Sequence, residues 1–119
     1  MNLEINGTDY EMKFGIGFLG EINKGRDNKS SGVDLRIGVE NAVTSLYTGD
    51  YMILPELIKA GTITESKKPK DKEIENFLQE VNLEELGDDF LEELRTQSAT
   101  KKKATRVLKS LMEEEKHLA

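Results

Sequence analysis

An Asn6-Gly7 step close to the amino terminus constrains the fold more than any other feature of the sequence. Asn-Gly favours a two-residue β-hairpin turn because both residues tolerate the backbone angles that this turn requires. Apolar residues alternate with polar ones on both sides of the step. The pattern predicts a hairpin over residues 1–14 with one apolar face. An isolated hairpin is only marginally stable in water, so other parts of the chain must cover that face.

The rest of the chain is predicted to be helical, which gives an α+β, mainly α fold: an N-terminal β-hairpin followed by about five short amphipathic helices. At 119 residues the length fits one domain. Within it we expect a first helical part at 15–61, a polar linker at 62–70, and acidic then basic helices over 71–116. Residues 25–32 are rich in Gly, Asn, Ser and charge, and this composition indicates an exposed loop.

Glycines divide the first helical part. Gly15, Gly17 and Gly20 fall within one apolar segment, where we expect them to allow close packing against the hairpin. After an extended entry at 33–37, a helix over residues 38–48 should end at Gly49, the residue type that most often follows a helix.

Further helix boundaries are predicted from Asp50 onward. Asp50 is expected to cap a helix that ends at Gly61, because a carboxylate at a helix start accepts hydrogen bonds from free backbone N–H groups. Asn82 should mark the end of the next helix, and Gly87 should divide the following stretch into a turn and a helix.

Charge is strongly segregated in the second half of the sequence. Residues 71–93 carry many acids and a single base, Lys72, whereas residues 95–109 carry bases and no acid. We therefore expect the basic final helix, over 99–116, to lie beside the acidic helices of its own chain or of another copy. A solvated charged surface is the alternative, since exposed ion pairs contribute little stability.

The composition argues against several functions. A net charge of −6 disfavours binding to nucleic acid or to anionic membranes. Cysteine is absent, and the one histidine, His117, lies near the end of the chain, which leaves no arrangement for nucleophilic catalysis. The acidic pairs fit a solvated helix face better than a metal site. We expect neither catalysis nor a cofactor, and the lack of a signal-peptide core or a membrane-spanning apolar run predicts a cytoplasmic protein.

The opening of the chain resembles that of a known protein family. Ile5-Asn6-Gly7, Tyr10, Lys13-Phe14-Gly15, Gly17-Phe18-Leu19 and Glu21-Ile22 resemble the start of the tail assembly chaperones of long-tailed phages (siphoviruses) of Gram-positive bacteria. Less specific similarities continue through Gly49-Asp50, Ala60-Gly61, Lys68-Pro69, Glu73-Ile74 and Phe77-Leu78 to the basic helix. Gly20 departs from the pattern, because a longer helix-forming residue is expected there.

The resemblance implies a non-enzymatic factor of virion morphogenesis. Such chaperones coat the long, helical, aggregation-prone tape measure protein in the host cytoplasm before the tail tube polymerises around it, and they are absent from the mature virion. Many are made in two lengths by ribosomal frameshifting, and the longer form recruits the tail tube protein. Many copies along one rod imply a homo-oligomer.

Two sets of residues are candidates for these contacts. A chaperone of an amphipathic helical rod needs an apolar groove, and the predicted client-binding residues follow helical spacing: Ile74, Phe77, Leu78, Val81, Leu86 and Phe90. Opposite charges at two ends of one chain suit head-to-tail stacking into a helical array. The predicted self-association residues are Lys101, Lys102, Lys103, Arg106, Asp88, Asp89 and Glu92.

Two other functional classes stay open. The chain fits a small acidic phage regulator or inhibitor that binds a basic protein through residues 71–93. It also fits a structural tail subunit that is retained in the virion.

Overall fold

The computed structural model describes residues 1–24 and 36–118. Strands β1 (Asn2–Ile5) and β2 (Thr8–Glu11) are followed in these ranges by six helices: α1 (Ile16–Ile22), α2 (Gly38–Thr48), α3 (Ile53–Gly61), α4 (Asp71–Glu80), α5 (Leu83–Thr96) and α6 (Lys101–Leu118). This confirms the α+β, mainly α class, with six helices where about five were predicted. The predicted loop at 25–32 and most of the predicted extended entry to α2 lie outside the described residues.

The hairpin forms where the Asn-Gly step predicts it. Asn6 and Gly7 both have positive φ angles, 51° and 76°, as a tight hairpin turn requires. The strands are antiparallel, with Leu3 opposite Tyr10. Alternate side chains on the two strands are buried, so the hairpin has the single apolar face that its sequence pattern indicates.

Helices from both halves of the chain cover this face. The backbone N–H of Lys13 donates to the carbonyl of Gly61 at the end of α3 (2.8 Å). The Phe14 ring lies 5.1 Å from that of Phe18 in α1 and 6.1 Å from that of Phe90 in α5, measured between centroids. The segment after the hairpin therefore joins three helices in one apolar core.

The glycines of α1 act differently from the prediction. A β-carbon on Gly17 would collide with the side chain of Thr64, so this glycine does allow close packing, but against the segment after α3 and not against the hairpin. A β-carbon on Gly15 or Gly20 would meet no atom of the described residues within 4 Å. The predicted packing against the hairpin is wrong for all three.

Helix α2 begins and ends as predicted. Gly49 follows it with a φ of 81°, the left-handed conformation typical of a glycine at a helix end. Asp50 does not cap α3: its carboxylate accepts from the backbone N–H of Met52 (3.3 Å), and Met52 itself is the residue before the helix. The start of α3 is therefore later than predicted, and Pro55 lies in its first turn, where its missing N–H has no helical partner to lose.

The junction between α4 and α5 depends on one amide side chain. The Asn82 side chain accepts from the backbone N–H of Glu85 (3.0 Å) and so begins α5, immediately after α4 ends. Gly87 does not divide α5, which is continuous. A β-carbon at Gly87 would lie 3.2 Å from the Tyr51 ring, so this glycine allows α5 to lie close to the turn between α2 and α3.

Helix α6 packs against α5, as the charge segregation predicts, and also against α2. Lys103 lies 3.6 Å from the Glu40 carboxylate at the start of α2. Near the other end of both helices, the Tyr47 hydroxyl donates to the Glu115 carboxylate. The two helices therefore run parallel, and the ionic partner of α6 within the described ranges is α2 and not the acidic α5.

Candidate functional site

The described ranges contain no cluster of His, Cys, Asp or Glu side chains that could hold a metal ion. Among the described residues, two side chains have pKa values displaced from their ordinary range, and hydrogen bonds are the largest cause of both displacements. The Glu115 carboxylate accepts from Tyr47 and raises the pKa of that phenol. Backbone and amide donors from Lys70 and Asn6 lower the pKa of Glu73. Both groups take part in hydrogen bonds that hold parts of the fold together.

The predicted client-binding residues divide into two groups. Ile74, Leu86 and Phe90 are buried in the core, with Phe90 fully inaccessible. Phe77, Leu78 and Val81 pack against that core but are half-exposed. Ile74, Phe77 and Leu78 lie on one face of α4, so their burial differs along the helix and not around it, and Val81 follows the end of the helix.

The predicted self-association residues lie on two helices. Asp88, Asp89 and Glu92 are exposed on α5, and Glu92 forms a bidentate pair with Arg95 one turn later (2.6 and 2.7 Å). The basic members are exposed on the first two turns of α6: Lys101, Lys102, Lys103 and Arg106.

Only one of these cations has a partner inside the described ranges. Lys103 donates to the Arg36 carbonyl (2.9 Å) and approaches Glu40. Lys101, Lys102 and Arg106 form no ion pair or hydrogen bond there through their side chains. The acidic face of α5 and the basic face of α6 are thus both open to another molecule.

A groove of about 770 Å³ lies between α1, the start of α2 and the start of α6. Its apolar lining includes Ile16, Leu19 and Val39, while Lys102 and Lys103 stand at its rim. We refer to these five residues as the α1–α6 groove. It places exposed apolar surface next to positive charge in a chain whose net charge is −6.

The sequence pattern does not single out the apolar part of this groove. Ile16 is 81% exposed, although close packing against the hairpin is predicted for the glycines of its segment. Met52 is similarly exposed, at 84%, but lies outside the groove.

One family of known proteins matches the chain. A family model described as a phage tail assembly chaperone protein, TAC, matches residues 2–109. The match covers the hairpin and the first five helices and extends into α6. No curated protein and no solved structure gives a match. Among the described helices, none has the length and apolar character needed to cross a membrane.

Proposed function

This chain belongs to the phage tail assembly chaperone family, and we propose that it binds the tape measure protein and keeps it soluble while the tail is assembled. The proposed role is non-enzymatic and is carried out in the host cytoplasm, with the protein absent from the mature virion. The observation that carries it is the half-exposed apolar cluster Phe77, Leu78 and Val81 on a chain of this family. We call these three residues the α4–α5 cluster.

The chemistry of the α4–α5 cluster suits an amphipathic helical client. Its three side chains are already partly packed against the core, so they offer a shallow apolar surface that needs little ordering when a partner binds. A small apolar contact has modest affinity, and this allows the polymerising tube to displace the chaperone. Ile74, Leu86 and Phe90 support the cluster from below and do not themselves reach a client in this fold.

Coating a long rod requires many copies, so the proposal includes self-association through the charged faces of α5 and α6. Opposite charges on separate faces of one chain favour contacts that repeat and do not close on themselves. The tail tube protein is the last proposed partner, and a frameshifted longer form of the chain recruits it.

The test is co-expression with the tape measure protein, followed by size-exclusion chromatography with light scattering. The unchanged chain should give a soluble complex with many copies per rod. Phe77→Asp should abolish that solubilisation and leave the chain folded, because a carboxylate on a half-exposed site disrupts an apolar contact more than it disrupts the core. Met52→Asp is the matched control, since Met52 is exposed and apolar but lies away from the cluster.

Two results would count against this assignment. If Phe77→Asp unfolds the chain, Phe77 is a core residue and the cluster is not the client surface. If the tape measure protein stays insoluble with the unchanged chain, it is not the client of this protein.

A second candidate function is favoured by the exposed carboxylates of α5, Asp88, Asp89 and Glu92. A small acidic regulator would use this face to bind a basic protein, and its binding would weaken steeply with added salt. Binding to the tape measure protein through the apolar α4–α5 cluster should depend much less on salt. A structural tail subunit, the third possibility, would be present in purified particles.

A further inference from the structure

The α1–α6 groove is lined by apolar residues and by lysines. We propose that it receives the acidic face of α5 from a second copy of this chain. This inference rests on the self-association in the proposed function and deepens it by naming the two surfaces that meet. It also gives a role to Ile16, whose exposure the core does not explain.

The charges around the groove indicate an acidic occupant. Neither Glu21 nor Glu40 lines the groove: Glu21 pairs with Lys24 (2.8 Å), and Glu40 lies 3.6 Å from Lys103 with its Oε1 buried and without a hydrogen-bond partner among the described residues. Lys102 lines the groove, is exposed and has no ion-pair partner within the described part of the chain. Arg106 lies one helical turn further along α6, on the same side as Lys102, and extends the positive surface beyond the groove.

The α5 helix offers a surface with the matching chemistry. Asp88, Leu91 and Glu92 are spaced by three and four residues, so they lie on one side of the helix. Both carboxylates are exposed, and Leu91 between them is only half-buried; Glu92 is paired with Arg95 of its own helix, so Asp88 carries the charge that is unpaired within the described residues. An apolar side chain flanked by two carboxylates fits a groove in which apolar residues are flanked by lysines.

The two surfaces use different residues of the chain. None of Asp88, Leu91 and Glu92 lines the groove. A contact between two different surfaces leaves one of each free at the ends of an open assembly, so it continues from copy to copy unless the copies close into a ring. Assembly should therefore grow with protein concentration and weaken with salt, because charge pairs at an exposed rim are screened.

Cysteine cross-linking can test the contact directly, because the chain has no cysteine of its own. Ile16→Cys and Leu91→Cys are made as separate proteins with tags of different mass, then mixed and oxidised. The expected result is a disulfide-linked heterodimer that forms in much higher yield than with Met52→Cys in place of Ile16→Cys. Equal yields from the two mixtures, or no heterodimer from the first, would overturn the proposed contact.

Charge exchange tests the same contact without a covalent bond. Lys102→Glu and Asp88→Lys should each raise the dissociation constant of self-association at least about tenfold in sedimentation experiments at low salt. A chain that carries both changes should regain the dissociation constant of the unchanged chain, because complementary charges again face each other. Lys67→Glu, on an exposed segment outside the groove, is the control and should have little effect.

The outcomes separate this inference from the proposed function. Self-association that persists unchanged in Lys102→Glu and Asp88→Lys would overturn the groove contact alone. A chain that stays monomeric at all concentrations would overturn self-association as well. Solubilisation of the tape measure protein, measured with the Phe77→Asp variant, remains an independent readout of client binding.

Discussion

The Asn6 side-chain amide donates to the Glu73 carboxylate across 67 positions of sequence, with 2.5 Å between Nδ2 and Oε2. This bond attaches the turn of the hairpin to the first turn of α4. The other carboxylate oxygen of Glu73 accepts from the backbone N–H of Lys70 (2.9 Å), just before the helix starts. One side chain therefore caps α4 and joins the two halves of the chain.

The first prediction concerns pH. The hydrogen bond from the Lys70 backbone, and then that from Asn6, hold the pKa of Glu73 below its ordinary value of 4.5. A carboxyl group whose pKa is lower in the folded state stabilises the fold above its unfolded pKa, and this contribution is lost as the pH falls through the folded pKa. Glu73→Gln should therefore lower the free energy of unfolding most near pH 7, with a difference that shrinks below about pH 4.5.

The measurement is urea unfolding of both proteins across this pH range. Glu80→Gln is a suitable control, because it removes an exposed carboxylate of the same helix that has no hydrogen bond within the described residues. A Glu73→Gln difference that stays constant from pH 7 to pH 3 would contradict the assignment.

The second prediction concerns two glycines. A β-carbon on Gly38 would lie 2.6 Å from the backbone carbonyl carbon of Ile22, and backbone cannot move aside cheaply. Gly38→Ala should therefore cost about 1–3 kcal/mol of stability. Gly20→Ala adds a β-carbon to an exposed site within α1, where no described atom lies within 4 Å, and should stabilise the fold by about 0.5–1 kcal/mol.

Urea unfolding of the two variants against the unchanged chain gives both values. The opposite signs are the informative result, because helix propensity alone predicts that alanine stabilises both positions. Stabilisation by Gly38→Ala would show that α1 and α2 do not meet as described.

The third prediction separates core from surface on the acidic helices. Phe90 is fully buried and its ring meets the Phe14 ring edge-on, so Phe90→Ala should cost about 3–5 kcal/mol. Phe77 is half-exposed, so Phe77→Ala should cost only about 1 kcal/mol. Chemical unfolding measures both changes. Similar losses of unfolding free energy from the two variants would mean that Phe77 is as much a core residue as Phe90, and the α4–α5 cluster would not be a surface.

Local signals in the sequence were reliable where local chemistry decides the structure. The Asn6-Gly7 turn and the Gly49 helix end both require positive φ angles, which few other residue types adopt readily. Local sequence patterns failed where a side chain had more than one backbone N–H group within reach. Asp50 had the right chemistry for a cap, but its carboxylate accepts from the backbone N–H of Met52, which is the residue before α3 begins.

Glycines inside helices were the hardest residues to interpret. Gly87 was predicted to interrupt a helix, yet it lies within α5 and allows Tyr51 to approach. Gly20 was predicted to allow close packing, yet no described atom lies near its missing β-carbon. A missing side chain indicates either a break or a close contact, and only the neighbouring elements distinguish the two.

By itself, the sequence determined the hairpin, the helical character of the rest, the separation of acidic from basic segments, and the resemblance to the family that the chain belongs to. These features depend on residue type and on short spacings along the chain. Tertiary structure alone decided which half of the stripe Ile74, Phe77, Leu78, Val81, Leu86 and Phe90 is buried, and that α6 pairs with Glu40 rather than with α5. The reason is that burial and ion pairing depend on how helices pack, and helical periodicity identifies an apolar face without identifying what covers it.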